Sequence, residues 1–241
     1  MKGVIRSLPH LQRAGFEIEI WCWECDVLFG WQKVSILPQF GNIRVIGSFV
    51  FAWMVRLKSW WRYQIKNQKR PDVVYSVAGY LTDCDVCHVH FSPFDWEKRQ
   101  ASLGIRSLRD FIERFINLLS LYQARQFFRH TKPKKVICVS DSVANDIRLE
   151  NPSLEIQVLP NSYDPNQFHF GVRAHYREQT RIKLGYEAHH QVFIFVSTGH
   201  YRRKGFFLAV EAIKKLQTQH PEIRLLVVGG SQKRLHSLQD Q

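Results

Sequence analysis

Hydrophobic residues near the start of the chain change their spacing within a few positions. Between Val4 and Leu11 they recur every three or four residues, which predicts a helix, and Gly15 follows where a helix C-cap is expected. Pro9 lies inside this helix and is expected to kink it. Apolar and polar residues then alternate over residues 16–22, which predicts a strand.

The remainder of the chain alternates short apolar runs with amphipathic segments. The apolar runs predict strands at 71–77, 85–91, 134–140, 155–160, 192–197 and 223–230. The amphipathic segments predict helices at 45–70, at 106–130, after the N-cap candidates Ser140, Asp141 and Ser142, and after Gly205. Strands that alternate with helices, several of them apolar throughout, predict an α/β fold with parallel sheets.

Length and composition indicate a folded protein with more than one domain. The chain has 241 residues, of which 45% are hydrophobic and 13% aromatic. This content is ample for a globular core and argues against disorder. We expect an N-terminal domain at residues 1–165, a polar, charge-rich linker at 166–190, and the start of a C-terminal domain at 191–241.

The charge balance narrows the class of partner. A net charge of +13 predicts attraction to nucleic acid, to a phospholipid surface or to a phosphorylated substrate. No signal peptide is evident after Met1, and the longest uncharged apolar run, residues 45–55, is much shorter than the ~20 residues that a spanning helix needs. We therefore expect a cytoplasmic protein that is soluble or bound to a membrane surface.

The segment 45–70 mixes aromatic and basic residues. Phe and Trp side chains alternate there with Arg and Lys, and this composition is typical of a helix that lies on an anionic membrane surface. It is equally typical of a surface helix whose long cationic side chains cover apolar neighbours. The sequence leaves both interpretations open.

The cysteines raise the alternative of a zinc site. Cys22 and Cys25 form one CxxC pair, and Cys84 and Cys87 form another. Two such pairs can hold zinc, but the gap between them far exceeds the ~15–20 residues of a zinc ribbon. Both pairs also lie in or beside predicted strands, where positions i and i+3 face opposite sides. Buried thiols in a reduced cytoplasm are the preferred interpretation.

The turn after the strand at 192–197 has features that favour the binding of an anion. The sequence FVSTGHYRRKG places a glycine and several cations between a buried strand and a helix start. In open parallel sheets, ligands bind beyond the carboxyl ends of the strands, and a helix N-terminus favours negative charge. The turn is therefore a candidate site for a phosphate or diphosphate, and the alternative is a solvated basic loop.

Two stretches of the sequence resemble a known family, the retaining GT-B glycosyltransferases of the GT4 type. The first is KKVICVSDSVANDI with EIQVLPNSYDPNQF, in which Pro160, Asn161, Asp164 and Phe168 match the family's Pro-Asn-Gly-x-Asp pattern and the Phe beyond it. The second is FVSTGHYRRKGFFLAVEAIKKL with IRLLVVGG. The resemblance implies a GT-B-like α/β fold with two Rossmann-like domains and parallel sheets.

The resemblance also implies a donor diphosphate site in the basic turn, formed by Gly199, His200, Arg203, Lys204 and Gly205. Lys204 matches the family's diphosphate-binding Lys. His200 occupies the position of the family's Arg and is a poorer partner for a diphosphate, so Arg203 is the candidate that supplies the missing charge. The resemblance implies a nucleotide-sugar donor and no metal cofactor.

On the acceptor side, the resemblance implies a histidine in the N-terminal domain. His90, which follows DVCHV in the predicted strand and precedes Phe91, is the candidate catalytic residue, and His88 lies on the same strand face. His90 is expected to hydrogen-bond the donor sugar or the acceptor hydroxyl. The alternative is that both are partly buried histidines paired to the backbone.

Two parts of the family pattern are not found in the chain. The first strand with its Gly-rich loop is absent before Val4, and the Glu-x7-Glu pair is absent after Gly230. We therefore expect the second domain to be incomplete, and weak donor binding with little turnover by this chain alone.

The favoured hypothesis is transfer of a sugar from a nucleoside diphosphate to a hydroxyl acceptor in glycan or cell-envelope biosynthesis. The acceptor is lipid-linked or a glycan in this hypothesis, the protein is peripheral on the inner membrane face, and no nucleic-acid partner is expected. The alternative is a non-catalytic basic module that binds nucleic acid or an anionic membrane.

Overall fold

The computed structural model describes residues 2–22, 33–37, 44–77, 83–102, 108–130, 133–197, 201 and 204–229. The chain divides into two compact units, Met1–Tyr163 and Asp164–Gln241. Both are α/β, and every strand pair found in the described residues is parallel. The predicted fold class is confirmed in this respect.

The first unit begins with helix α1 and a two-stranded sheet. Helix α1, Lys2–Arg13, contains Pro9 and ends in the cap that the sequence predicts. Gly15 has φ +88° and donates to the carbonyl of Gln12 at 2.9 Å, while Phe16 donates to that of Leu11 at 3.1 Å. This pair of hydrogen bonds is a Schellman motif, which needs the left-handed conformation of glycine.

Strand β1, Glu19–Cys22, pairs with β2, Lys33–Ile36. Helix α2, Arg44–Trp60, continues into a π-helical turn, Trp61–Ile65. Arg62 in this turn binds Glu19 of β1 at 2.7 Å, and this ion pair fastens the end of the helix to the small sheet.

A four-stranded sheet forms the centre of the first unit. Its strands are β3, Tyr75–Val77, β4, Val86–Val89, β5, Lys135–Cys138, and β6, Ile156–Val158, in the spatial order β3-β4-β5-β6. The helices between them are α3, Pro93–Ser102, α4, Leu108–His130, and α5, Asp141–Glu150. Parallel strands need such crossover connections, which explains the order of elements in the sequence.

The core of this unit lies between one face of the sheet and the helices. Alternate residues of β4 and β5 contribute to it, because side chains along a strand alternate between faces. Its buried members include Cys87, Val89, Val136, Cys138, Leu121, Ala124, Phe127, Phe128, Ala144 and Ile147. Helix α5 starts where the sequence predicts, since the Ser140 hydroxyl accepts from the Val143 N–H at 3.4 Å.

The second unit holds helix α6, Phe170–Lys183, strand β7, Gln191–Val196, helix α7, Phe206–Gln217, and strand β8, Ile223–Val228. Helix α6 lies within the residues that the sequence predicts to be a linker. Strands β7 and β8 pair over six residues, and Phe206 of α7 packs on Phe195 of β7 with ring centroids 5.1 Å apart.

The face of this two-stranded sheet that bears Ile194 and Val196 is open. Both side chains are 62% exposed, and Val228, which is opposite Val196, is 43% exposed. Phe195 and its strand neighbours on the other face lie on the side of α7. The face that bears Phe195 is therefore partly covered by α7, with Phe193 still 47% exposed, and the other face presents aliphatic side chains to solvent.

Candidate functional site

The carboxyl edge of the four-stranded sheet brings together residues that are far apart in the sequence. His90 directly follows β4, Ser140 follows β5, and Asn161 lies three residues beyond β6. The strands are parallel, so the segments that follow them emerge at the same edge. Sites in parallel α/β sheets form at this edge, and it is where the sequence predicts the acceptor side.

His90 is half-buried, and the side chain of Asn161 lies close enough to it to raise its pKa. Asn161 belongs to the Pro-Asn-x-x-Asp pattern, so two stretches identified separately in the sequence meet here. Asp164 of the same pattern has a local structural role. Its backbone carbonyl accepts from the Phe168 N–H at 2.9 Å, and its carboxylate accepts from the Asn166 N–H at 3.0 Å.

His88 lies on the same sheet face as His90 and is more deeply buried, with 9% of its surface exposed. The two imidazole rings stack with centroids 4.1 Å apart and an interplanar angle of 30°. The hydroxyl of Tyr75, on the neighbouring strand β3, shares a hydrogen bond with Nδ1 of His88. The sequence did not predict a role for Tyr75.

Two ring nitrogens in this cluster are buried without a partner. Nε2 of His88 and Nε2 of His90 make no hydrogen bond to any described part of the chain. Burial of an unpaired polar atom costs free energy, and such an atom indicates a place where a ligand or water binds. The described hydrogen-bond partner of the His88 ring is the hydroxyl of Tyr75, and Asn161 is the polar side chain beside the His90 ring.

Burial keeps both histidines neutral near pH 7. It lowers the pKa of His88 to about 4, and the neighbouring His90 adds to this effect. Burial also lowers the pKa of His90, partly opposed by the neighbouring side chain of Asn161. A neutral imidazole can both donate and accept hydrogen bonds, which is the state needed to contact a sugar hydroxyl.

The lowered pKa of His88 predicts a pH-dependent stability. Between pH 6.5, its ordinary pKa, and about 4, the unfolded chain binds a proton at His88 that the folded chain does not. The contribution of a neutral His88 to the free energy of unfolding is therefore fully present above pH 6.5. It is lost as the pH falls toward 4, and the loss is on the order of 2 kcal/mol. Urea unfolding at several pH values measures this loss.

The matched variant for this measurement is His88→Asn. The amide oxygen of Asn lies near the position of Nδ1, so Tyr75 keeps a partner while the titrating group is removed. The variant is expected to have a flatter pH dependence than the wild type. Equal slopes in the two proteins would contradict the assignment of a buried, neutral His88.

The candidate donor site lies in the second unit, between β7 and α7. Gly199, His200 and Arg203 fall outside the described residues, so the structure describes only Lys204 and Gly205 of the predicted set. Lys204 is exposed, and Gly205 is the N-cap of α7 with φ +76° and ψ 26°. The start of α7 is therefore where the sequence predicts, and Lys204 directly precedes it.

Tyr201 anchors this turn, a role that sequence reasoning missed. Its ring is buried and lies 5.4 Å from that of Phe206, and its hydroxyl donates to the carbonyl of Gly229 at 3.1 Å. The backbone carbonyl of Tyr201 also accepts from the Phe206 N–H at 3.0 Å. The aromatic residue within the basic run was the available sequence signal.

The left-handed conformation of Gly205 gives a direct test of the turn. Gly205→Ala is expected to destabilise the second unit by about 1 kcal/mol, because a Cβ disfavours positive φ. No heavy atom lies within 4 Å of the added Cβ, so crowding contributes nothing. Chemical denaturation followed by circular dichroism measures the loss. Gly205→Asn should cost less, since Asn tolerates this conformation, and an equal or larger cost would contradict this explanation.

Comparison with known proteins identifies the fold family that the structure resembles. No protein-family model matches the chain, and no curated protein matches it significantly. Nine chains from solved structures match. One is the crystal structure of WaaG, a glycosyltransferase involved in lipopolysaccharide biosynthesis, with a TM-score of 0.68 and 16% sequence identity. The chain has a GT-B-like fold.

The match to WaaG covers 99% of this chain and 62% of the WaaG chain. The protein therefore spans less than two thirds of the length of this neighbour. At 16% identity the likeness establishes the arrangement of α/β elements, while the GT4 subtype, the substrates and the activity remain predictions.

The structure also bears on two other features of the sequence, the possible zinc site at the CxxC pairs and the possibility of a membrane-spanning helix. Cys84 and Cys87 are both buried, and the interaction between their thiols lowers the pKa of Cys84 and raises that of Cys87. Within the part of the chain that the structure describes, no three His, Cys, Asp or Glu side chains are placed to hold a metal, and Cys25 lies outside it. Among the described helices, none is long and apolar enough to cross a membrane.

Proposed function

We propose that this protein is a glycosyltransferase of the GT4 type that moves a sugar from a nucleoside diphosphate to a hydroxyl acceptor. The observation that carries the proposal is the contact between His90 and Asn161 at the carboxyl edge of the sheet. It joins the predicted catalytic histidine to the Pro-Asn-x-x-Asp pattern. The GT-B-like fold is what such a reaction would use.

On the acceptor side, His90 is the residue that touches substrate in this proposal. Its buried, unpaired Nε2 is available to a hydroxyl of the acceptor or the donor sugar. His88, stacked on it and held by Tyr75, is a positioning residue. In the transfer, the bond from the anomeric carbon to the diphosphate oxygen breaks and a bond to the acceptor oxygen forms. The proton of the acceptor hydroxyl passes to the leaving diphosphate.

On the donor side, the leaving diphosphate is the group that needs stabilisation. Lys204 stands at the start of α7, where the helix dipole also favours negative charge. Arg203, His200 and the backbone at Gly199 and Gly205 complete the proposed site. Preorganised cations and N–H groups that face a developing charge are the main source of rate acceleration in such sites.

The acceptor and the cofactor requirement are part of the proposal. We propose a lipid-linked or glycan acceptor, a cytoplasmic location and transfer without a metal ion. For the last point, a chelator is expected to leave the measured transfer or donor binding unchanged, and a loss that Mg²⁺ restores would contradict it.

The test of the proposed function is binding of nucleotides by calorimetry. UDP, GDP and ADP, each with its common sugar conjugates, are titrated into the folded protein. Saturable binding of one base over the other two supports a donor site. Equal, strongly salt-dependent binding of all three and of unrelated oligonucleotides would instead indicate the non-catalytic basic module.

A further inference from the structure

The outer side of helix α2 and the π-helical turn carries an exposed apolar stripe. It consists of Trp53, Leu57, Trp60, Trp61 and Ile65, which we call the tryptophan stripe, and each side chain is between 47% and 62% exposed. Successive members are four, three, one and four positions apart, so they lie along one side of the helix. The opposite side is packed inward, since Ala52 and Val55 are buried.

The charged residues in the segment 44–71, which contains the tryptophan stripe, are all positive. Residues 44–71 contain no Asp or Glu, and their cations are Arg44, Arg56, Lys58, Arg62, Lys66, Lys69 and Arg70. Several of these cations have partners. Lys58 lies over the ring of Trp21 at 4.6 Å, and Arg62 binds Glu19. Arg70 pairs with Asp85 at 3.6 Å, and Lys69 pairs with Asp72 at 3.3 Å.

Two exposed cations flank the tryptophan stripe. Arg56 is three positions after Trp53, and Lys66 lies over the ring of Trp61 with Nζ 4.0 Å from its centroid. Both are therefore on the stripe's side of the helix. Exposed indole rings bordered by cations are the composition of helices that lie in the interface of an anionic bilayer.

We propose that the tryptophan stripe docks the protein on a membrane surface rich in anionic phospholipid. The indole rings would lie at the headgroup level, with Leu57 and Ile65 in the apolar layer beneath. Arg56 and Lys66 would contact phosphate groups. This inference does not depend on sugar transfer, because it uses no residue of the proposed active site.

Charge favours the membrane over other partners for this surface. A symmetric dimer through the stripe would place the cations of one copy near those of the other, with no acidic residue between positions 44 and 71 to compensate. Single-stranded nucleic acid would match the cations and indole rings, but not the aliphatic side chains of Leu57 and Ile65. An anionic bilayer matches all three kinds of side chain.

Helix α4 presents a second exposed apolar surface and serves as the matched control. Phe115 is 55% and Tyr122 63% exposed there. The sequence of α4 includes Asp110 and Glu113 as well as cations, and Arg125 and Arg129 are paired with Glu150. Helix α4 therefore has exposed apolar side chains, but its sequence carries charges of both signs.

Vesicle flotation tests the proposal with the whole chain. Vesicles of phosphatidylcholine alone are compared with vesicles that contain about 30% phosphatidylglycerol, at about 50 mM and about 500 mM salt. The double variants are Trp60→Ser with Trp61→Ser, Arg56→Gln with Lys66→Gln, and the control Phe115→Ser with Tyr122→Ser.

The wild type is expected to float with the anionic vesicles at low salt and much less with the neutral ones or at high salt. Each stripe variant is expected to bind about tenfold more weakly, while the control changes by less than about twofold. Thermal melting of each variant checks that it is folded. Because the altered side chains are exposed, their melting should match the wild type.

Three results would overturn the proposal. The first is undiminished vesicle binding by both stripe variants. The second is a loss confined to the α4 variant, which would move the membrane surface to α4. The third is absence of vesicle binding by the wild type, whether or not the stripe instead supports dimer formation in light scattering or binding of a labelled oligonucleotide.

Discussion

Replacing Lys204 by alanine is expected to weaken nucleotide diphosphate binding about ten- to a hundredfold, because a charge-assisted hydrogen bond contributes roughly 1.5–3 kcal/mol. The effect is expected to be large because Lys204 directly precedes the N-terminus of α7 and is the one described cation of the predicted donor set. Calorimetric titration with the preferred nucleotide measures the change in affinity.

The matched control for Lys204→Ala is Lys215→Ala. Lys215 is also an exposed lysine and lies in the last turn of the same helix. A change near α7 that acted only through net charge would weaken binding equally in both variants. Equal affinities for Lys204→Ala and the wild type would remove the donor site from the basic turn, even if the protein binds nucleotide elsewhere.

Replacing Phe128 by alanine is expected to reduce the free energy of unfolding of the first unit by about 3–5 kcal/mol, the usual cost of deleting a buried aromatic side chain. Phe128 is 2% exposed and packs edge-on against Phe127, with ring centroids 5.0 Å apart. It lies in the core between α4 and the four-stranded sheet. The truncation removes these contacts and leaves a cavity.

Urea unfolding measures this effect, and Phe115→Ala is its control on the same helix. Phe115 is 55% exposed, so its removal should cost less than about 1 kcal/mol. Similar losses for the two variants would contradict the placement of the core on the Phe128 side of α4. The comparison holds helix propensity constant, because both changes are Phe to Ala in one helix.

Local signals in the sequence were sufficient for most of the elements. Helix α5 begins at its predicted cap, and β4 and β6 each end two residues before the end of the predicted apolar run. Helix α3 was not predicted, although its start carries a signal. The Ser92 hydroxyl accepts from the Asp95 N–H at 3.4 Å, and Pro93 occupies the first helical position.

Helix α6 was interpreted as part of a linker for a physical reason. No residue of α6 is buried, and Phe170, Tyr176 and Ile182 are all exposed. A helix without a buried face leaves no regular apolar spacing in the sequence. The charge-rich composition of residues 166–190 therefore predicts a linker between the two domains.

The candidate site could be predicted only in part, because its contacts join distant parts of the chain. His90 came from its strand and from the family pattern, but its proximity to Asn161 depends on the strand order of the sheet. The pair of Tyr75 and His88 likewise depends on the register of β3 against β4. Sequence spacing alone contains neither the order nor the register.

The open face of the sheet formed by β7 and β8 bears on how this protein behaves at high concentration. This face exposes an aliphatic surface, formed by Ile194, Val196 and Val228, through which molecules of the protein can associate. Sulfate salts strengthen such apolar contacts and cooling weakens them. We therefore expect ammonium sulfate to precipitate the protein readily, and cold, sulfate-free buffers to keep it dispersed during purification.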